Sequence, residues 1–166
     1  MTTLLVTGAN RGIGLEIAKA ALAKGWTVYG SARTENQSSA TATQLGPNFR
    51  PLTFDVTDNA AIAAAANQIS GPVDILINNA GIIGPDQQST LDMDFTGFAY
   101  TLAVNTIAPL AIAQAFLPNL RRSDDAKILT VSSQMAYMGY AKSDRIAYRA
   151  SKSAVNKVMQ GLSTDL

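Results

Sequence analysis

The chain contains neither cysteine nor histidine. The first absence excludes a disulfide framework and thiolate chemistry. The second excludes histidine general bases, Ser-His-Asp triads and histidine-ligated metals, so no metal site is expected. Charge is scarce too: 15% of the 166 residues are charged and the net charge is +1, which gives no electrostatic basis for binding nucleic acid or a membrane surface. No apolar run reaches transmembrane length. The N-terminus enters an apolar strand directly, without the basic region, apolar stretch and cleavage site of a secretory leader, so the expected location is cytoplasmic. What is present in quantity is apolar, 47% of the residues, enough to pack 1–166 as a single domain. Any proton transfer must be done without histidine.

Strand and helix patterns alternate along the chain. Leu4–Val6, Thr27–Ala32, Leu52–Val56, Val73–Ile77 and Lys127–Val131 read as strands, the fourth so nearly all-apolar that both its faces should be covered. Residues 34–48, rich in Ser, Thr, Gln and Ala, predict at most a short, weakly held helix. Asp58 is a candidate cap for a helix from Asn59 to Ile69. A polar loop, Ile83–Asp94, precedes a long helix to about Leu120, in which Pro109 should cause a kink or mark a tight contact. A second loop, Gln134–Ile146, leads into a last helix. Such alternation predicts an α/β fold: a doubly wound, Rossmann-like parallel sheet of five strands in the order 3-2-1-4-5, with helices on both faces as a three-layer α/β/α unit.

Ligands of such sheets bind beyond the carboxyl ends of the strands, and those ends are distinctive here. After the first strand comes Thr7-Gly8-Ala9-Asn10-Arg11-Gly12-Ile13-Gly14, a strand-to-helix turn that aims helix amides and the positive end of the helix dipole at a phosphate. Gly8 permits the tight turn, Gly12 a close approach of backbone to ligand, and Gly14 the packing of helix on strand. Gly8, Asn10, Arg11, Gly12, Ile13 and Gly14 are therefore candidate nucleotide contacts. The glycine spacing differs from the G-x-G-x-x-G dinucleotide fingerprint. After the second strand, Ala32-Arg33 stands where an acidic residue would select NAD. Arg33, seconded by Arg11, points to the 2′-phosphate of NADP through charge-assisted bonds, with NAD the weaker candidate. Glu35 is the residue that would oppose this, by reaching a 2′-hydroxyl.

Tyr148 and Lys152 lie four apart on the last helix and share a face. A free phenol, with a pKa of about 10, is a poor acid or base at neutral pH. An ammonium held beside a phenol favours the phenolate, which is how a tyrosine becomes usable where histidine is missing.

Taken in order, Thr7–Gly14, Asn78-Asn79-Ala80-Gly81, Ser132-Ser133 and Tyr148-Arg149-Ala150-Ser151-Lys152 resemble the motif set of the short-chain dehydrogenase/reductases over essentially the whole chain. The Tyr-Arg-Ala-Ser-Lys wording and the Ser-Ser-Gln-Met stretch look most like the C-factor and carbonyl-reductase-like branch. The resemblance implies an oxidoreductase that moves a hydride between NADP and a carbonyl or alcohol carbon of a small molecule. It makes Tyr148 the general acid/base, Lys152 the partner of tyrosine and nicotinamide ribose, and Ser133, ahead of Ser132, the group that polarises the carbonyl. Asn105 matches the asparagine that holds a water linking the lysine to solvent. Asp55 and Val56 match the adenine contact, and Asn78, Ala80 and Gly81 the lining of the cofactor channel. The alternative is an NADP-binding protein without turnover that acts through a protein partner.

Two departures from that family carry expectations. The Ser133–Tyr148 interval looks about two residues longer than is usual in that family, so the loop across it should bulge. The family's later strands, substrate lid and Pro-Gly motif have no counterpart before Leu166, so weak activity and association are expected of the chain as it stands. Apolar positions Ala111, Ile112, Ala115, Phe116, Val155, Val158, Met159 and Leu162 are compatible with a homo-oligomer, a dimer or tetramer, as well as with a core-facing stripe.

Overall fold

The computed structural model describes residues 1–166. In chain order its elements are β1 (Thr3–Val6), α1 (Gly12–Ala23), β2 (Thr27–Ala32), α2 (Glu35–Leu45), β3 (Phe49–Thr53), α3 (Asn59–Asn67), β4 (Ile75–Asn78), β5 (Gln88–Ser89), β6 (Asp92–Met93), α4 (Phe95–Leu102), a π-helical turn (Ala103–Ile107), α5 (Ala108–Leu120), β7 (Lys127–Thr130), a short 3₁₀ turn (Gln134–Ala136) and α6 (Ile146–Asp165). The chain groups into two compact units, Met1–Ala80 with Ala111–Thr130, and Gly81–Leu110 with Val131–Leu166.

The first unit is built on a five-stranded sheet in the order β3-β2-β1-β4-β7, parallel throughout, the predicted Rossmann-like order. β1 is the central strand, paired on both edges, and Leu4, Leu5 and Val6 are buried, Leu4 and Val6 in a cluster with Ala18 and Ala21 of α1. β3 begins and ends three residues earlier than its apolar pattern suggests. Phe49 opens it by laying its ring over Gly30 of β2, where a Cβ would stand 2.4 Å from the ring carbons. Pairing ends at Thr53 because its partner Ala32 is the last residue of β2. Pro51 is tolerated because β3 is an edge strand.

Polar chemistry forms α2, which sequence pattern underrates. Thr34 caps it by accepting from the Gln37 amide at 3.4 Å, and buried Ser38 donates to the Leu52 carbonyl at 3.1 Å. Asp58 caps α3 as expected, accepting from the Ala60 and Ala61 amides at 3.0 Å each. β4 runs to Asn78, so its final side chain is polar.

The second unit holds α4, the π turn and α6, together with the small antiparallel pair β5–β6 inside the segment expected to be loop. Pro109 produces neither a break nor a lone kink. Its ring would press on the carbonyl four residues back, at Asn105, and the helix instead widens into the π turn over 103–107. The run Phe95–Leu120 is long and apolar enough to cross a membrane by length and composition, with mean hydropathy 1.4, contrary to the expectation that no apolar run reaches that length; half of its most apolar window is buried within the fold. Of the positions considered for association, Ile112, Phe116 and Val155 are core residues and the other five are half-buried; Phe95, Tyr100 and Ile107 are among the large apolar side chains left exposed.

Candidate functional site

In the first unit the glycine turn is held from two sides. Thr7 Oγ1 accepts from the amides of Asn79 and Ala80, each at 3.0 Å, and Asn79 Nδ2 donates to the Thr7 carbonyl at 2.8 Å. From the other side, Ser31 receives the Gly8 amide on its hydroxyl at 3.3 Å and the Ala9 amide on its carbonyl at 2.8 Å. The turn passes through φ +68° at Gly8 and +55° at Gly12, left-handed values that favour glycine. Gly14 is required for a different reason: a Cβ there would lie 2.3 Å from the Gly8 carbonyl oxygen. Helix α1 therefore starts hard against the turn, and Arg11 at its cap contributes no side-chain bond. Arg11, Gly12 and Ile13 are exposed and Asn10 is half-buried, leaving the first-turn amides and the helix dipole facing outward as an anion cradle.

Arg33 is exposed one residue past β2, and its charge is one of the influences that hold the Asp55 carboxyl below the usual range. The largest is the Thr57 amide, donated to Asp55 at 2.9 Å, with the Thr57 hydroxyl adding a bond at 2.7 Å. Glu35 does not oppose Arg33: its carboxylate accepts from Thr53 Oγ1 at 2.8 Å and Ser39 Oγ at 3.4 Å. Val56 is buried. Asn78 is buried at the end of β4, with Nδ2 3.4 Å from Thr130 Oγ1, and Ala80 lies beneath Gly8, whose added Cβ would come 3.2 Å from the Ala80 Cα. Two arginines, uncapped amides and glycine-lined backbone fit a phosphorylated dinucleotide end.

The second unit gathers Gly81, Asn105, Tyr148 and Lys152. Asn105, set in the π turn and 1% exposed, spends its carboxamide on the backbone of Ile82, accepting its amide at 2.9 Å and donating to its carbonyl at 2.8 Å. It also donates to Ser151 Oγ at 3.0 Å, and Ser151 donates to the Tyr148 carbonyl at 2.8 Å. A Cβ on Gly81 would stand 3.1 Å from Asn105 Oδ1 and 3.6 Å from Lys152 Nζ. Lys152 is 5% exposed; its ammonium donates to the Val131 carbonyl at 2.7 Å and lies 5.9 Å from the centre of the Tyr148 ring. Burial pushes the Lys152 pKa down, because an ion loses hydration there.

Ser133 is held in its own turn, where Oγ accepts from the Met135 amide at 3.1 Å and caps the 3₁₀ turn. That bond leaves its hydroxyl hydrogen free to donate. Ser132 Oγ, by contrast, is buried with no hydrogen-bond partner. The loop after Ser133 is shaped by Arg149, which donates to the Asp144 carbonyl and carboxylate at 2.8 Å each and reaches the Met135 carbonyl at 3.4 Å. Tyr137 and Tyr140 meet edge-to-face within it, centroids 5.1 Å apart. Thr7, Ser31, Asn79, Ser151 and Arg149 were not among the site residues expected. All five act by fixing neighbours; Thr7, Asn79, Arg149 and Ser151 stand inside the quoted motifs, and only Ser31 carries no signal beyond its place near a strand end.

A model of the short chain dehydrogenase family matches residues 2–166. A Haemophilus influenzae protein named "Probable NADP-dependent dehydrogenase" is 32% identical over 169 residues, covering 99% of this chain and 66% of that protein. The C-signal protein of Myxococcus xanthus is 40% identical over 106 residues, 63% of each chain. The chain thus spans about two thirds or less of the length of these curated relatives. Among solved structures, an NADPH-bound carbonyl reductase from chicken fatty liver superposes with a TM-score of 0.89 at 29% identity, covering 99% of this chain and 71% of that one.

Proposed function

The chain belongs to the short chain dehydrogenase family, and from that premise we propose that the protein it represents is an NADP-dependent oxidoreductase acting on a carbonyl or alcohol carbon of a small molecule. The observation that carries the reading is the buried ammonium of Lys152 beside Tyr148, in the same cluster as Asn105 and Gly81. In a chain without histidine no other pair is so well suited to proton transfer.

NADPH, when bound, supplies the hydride. Its adenine and phosphate end would be held by Gly8, Asn10, the amides of Gly12, Ile13 and Gly14, the arginines Arg11 and Arg33, Asp55 and the backbone at Val56. Asn78, Ala80 and Gly81 would line its path, and Lys152 would meet the nicotinamide ribose. In the direction of reduction, Ser133 Oγ donates to the carbonyl oxygen and holds it against Tyr148. The Tyr148 hydroxyl then gives its proton to that oxygen as negative charge develops there. Asn105 keeps Ile82 and Ser151 in place behind the pair. Assembly as a homo-oligomer belongs to the same reading, and Phe95, Tyr100 and Ile107 are exposed and available for it.

Steady-state reduction of a carbonyl panel with NADPH tests the reading. Tyr148→Phe should abolish turnover and leave NADPH affinity nearly unchanged, since only the transferable proton is lost. Binding of NADPH with no turnover of any carbonyl would instead favour a binding protein acting through a partner.

A further inference from the structure

We propose that Gln88, on the two-residue strand β5, is a positioning residue that fixes the start of α6 and with it Tyr148. A helix start leaves its first amides without partners, and the cap side chain ordinarily takes the one at the third position. Here the cap residue Arg145 stands in the left-handed region at φ 52° and makes no side-chain bond. The third amide of the helix is that of Tyr148, and it donates to Gln88 Oε1 at 3.0 Å. The cap comes from sixty residues away in sequence.

Gln88 is itself held as a rigid post. It is 6% exposed, and its Nε2 donates to the carbonyls of Ile83 at 3.1 Å and Pro85 at 2.5 Å. The backbone folds around that carboxamide only through Gly84, at φ 96°, where a Cβ would lie 2.7 Å from Thr101 Oγ1 and 3.4 Å from Gln88 Cδ. Both ends of the amide are thus used, one on the tyrosine helix and one on the turn beneath it.

The consequence is differential. Lys152 is a full turn deeper in α6 and separately tied to the Val131 carbonyl. Fraying at the start of the helix would therefore move Tyr148 while Lys152 stayed, and proton transfer tolerates little misplacement. Gln88 touches no reacting atom and lies outside the nucleotide cradle, so its loss should act on turnover and not on cofactor affinity. The effect on turnover rests on Tyr148 being the acid/base; the effect on the helix does not.

Two variants test it. Gln88→Met keeps the length and removes both bonding functions. Tyr148 amide exchange, referenced to its intrinsic rate, should quicken about tenfold or more, and kcat per folded protein should fall about tenfold while NADPH affinity stays within about twofold. Gln88→Glu keeps an acceptor for the Tyr148 amide at any pH, but when ionised it cannot donate to the Ile83 and Pro85 carbonyls and is repelled by them. Its Tyr148 protection should therefore rise as acid protonates the carboxyl, whereas Gln88→Met stays unprotected. Unchanged Tyr148 exchange in Gln88→Met overturns the proposal, as does faster exchange with kcat per folded protein intact. If the parent protein reduces no carbonyl, the activity reading fails, and the exchange comparison alone decides the role of Gln88.

Discussion

At the scale of single residues, the informative positions are those whose charge or shape has one use. Arg33 is exposed beside Asp55 and is not countered by Glu35, whose carboxylate is engaged by Thr53 and Ser39. NADPH should therefore bind at least about tenfold more tightly than NADH, a difference of about 1.4 kcal/mol, and Arg33→Asp should reverse the order; fluorescence titration of both cofactors decides it. Lys152 makes a second prediction. Its folded pKa is lowered by burial, so as pH falls below the unfolded value of 10.5 the unfolded chain takes up the proton first and the fold loses stability. The cost is complete below the lowered folded pKa and absent above 10.5. The melting temperature of Lys152→Met minus that of the parent should therefore be largest at neutral pH and shrink as pH is raised toward 10.5, as a thermal series would show.

At the scale of elements, helix starts separate what a sequence can tell from what it cannot. Asp58 announces α3, and Asp58→Ala should cost about 1 kcal/mol in a urea titration with an unchanged m-value. The glycine turn and the strand order were equally legible, because local pattern and φ requirements decide them. β3 slipped by three residues because its limits are set by β2, through Phe49 over Gly30 and the end of pairing at Ala32. The strand pair β5–β6 and the π turn were invisible for a similar reason. One carries a buried glutamine that bonds the nearby Ile83 and Pro85 carbonyls and the amide of Tyr148 sixty residues on, the other depends on a proline acting four residues upstream. Spacing puts Tyr148 and Lys152 on one face but is weak evidence alone, and it was the ordered motif set that singled them out; the bond between Asn105 and Ser151 that backs them is a tertiary contact no spacing encodes.

For the molecule as a whole, Asp74 ties three adjacent strands. Its carboxylate accepts from Ser123 Oγ at 2.6 Å, before β7, and from the Thr3 amide at 2.7 Å, at the head of β1, while its own position leads into β4. Those two bonds, the serine's first, lower its pKa from 3.8. The stability they contribute is present above 3.8 and lost as pH falls through the lowered folded value. Asp74→Asn should thus destabilise the protein at neutral pH by about 1 kcal/mol, with the difference vanishing in acid; parallel denaturation curves across that range would check it. The same central strand sets a timetable for biosynthesis. β1, β2 and β3 are all contained in the first 53 residues and can pair early, but the Thr7 hydroxyl finds its two amide donors only at Asn79 and Ala80. A nascent chain emerging from the ribosome would carry the glycine turn long before the bonds that hold it, and the turn would be fixed from this side only as the end of β4 arrives.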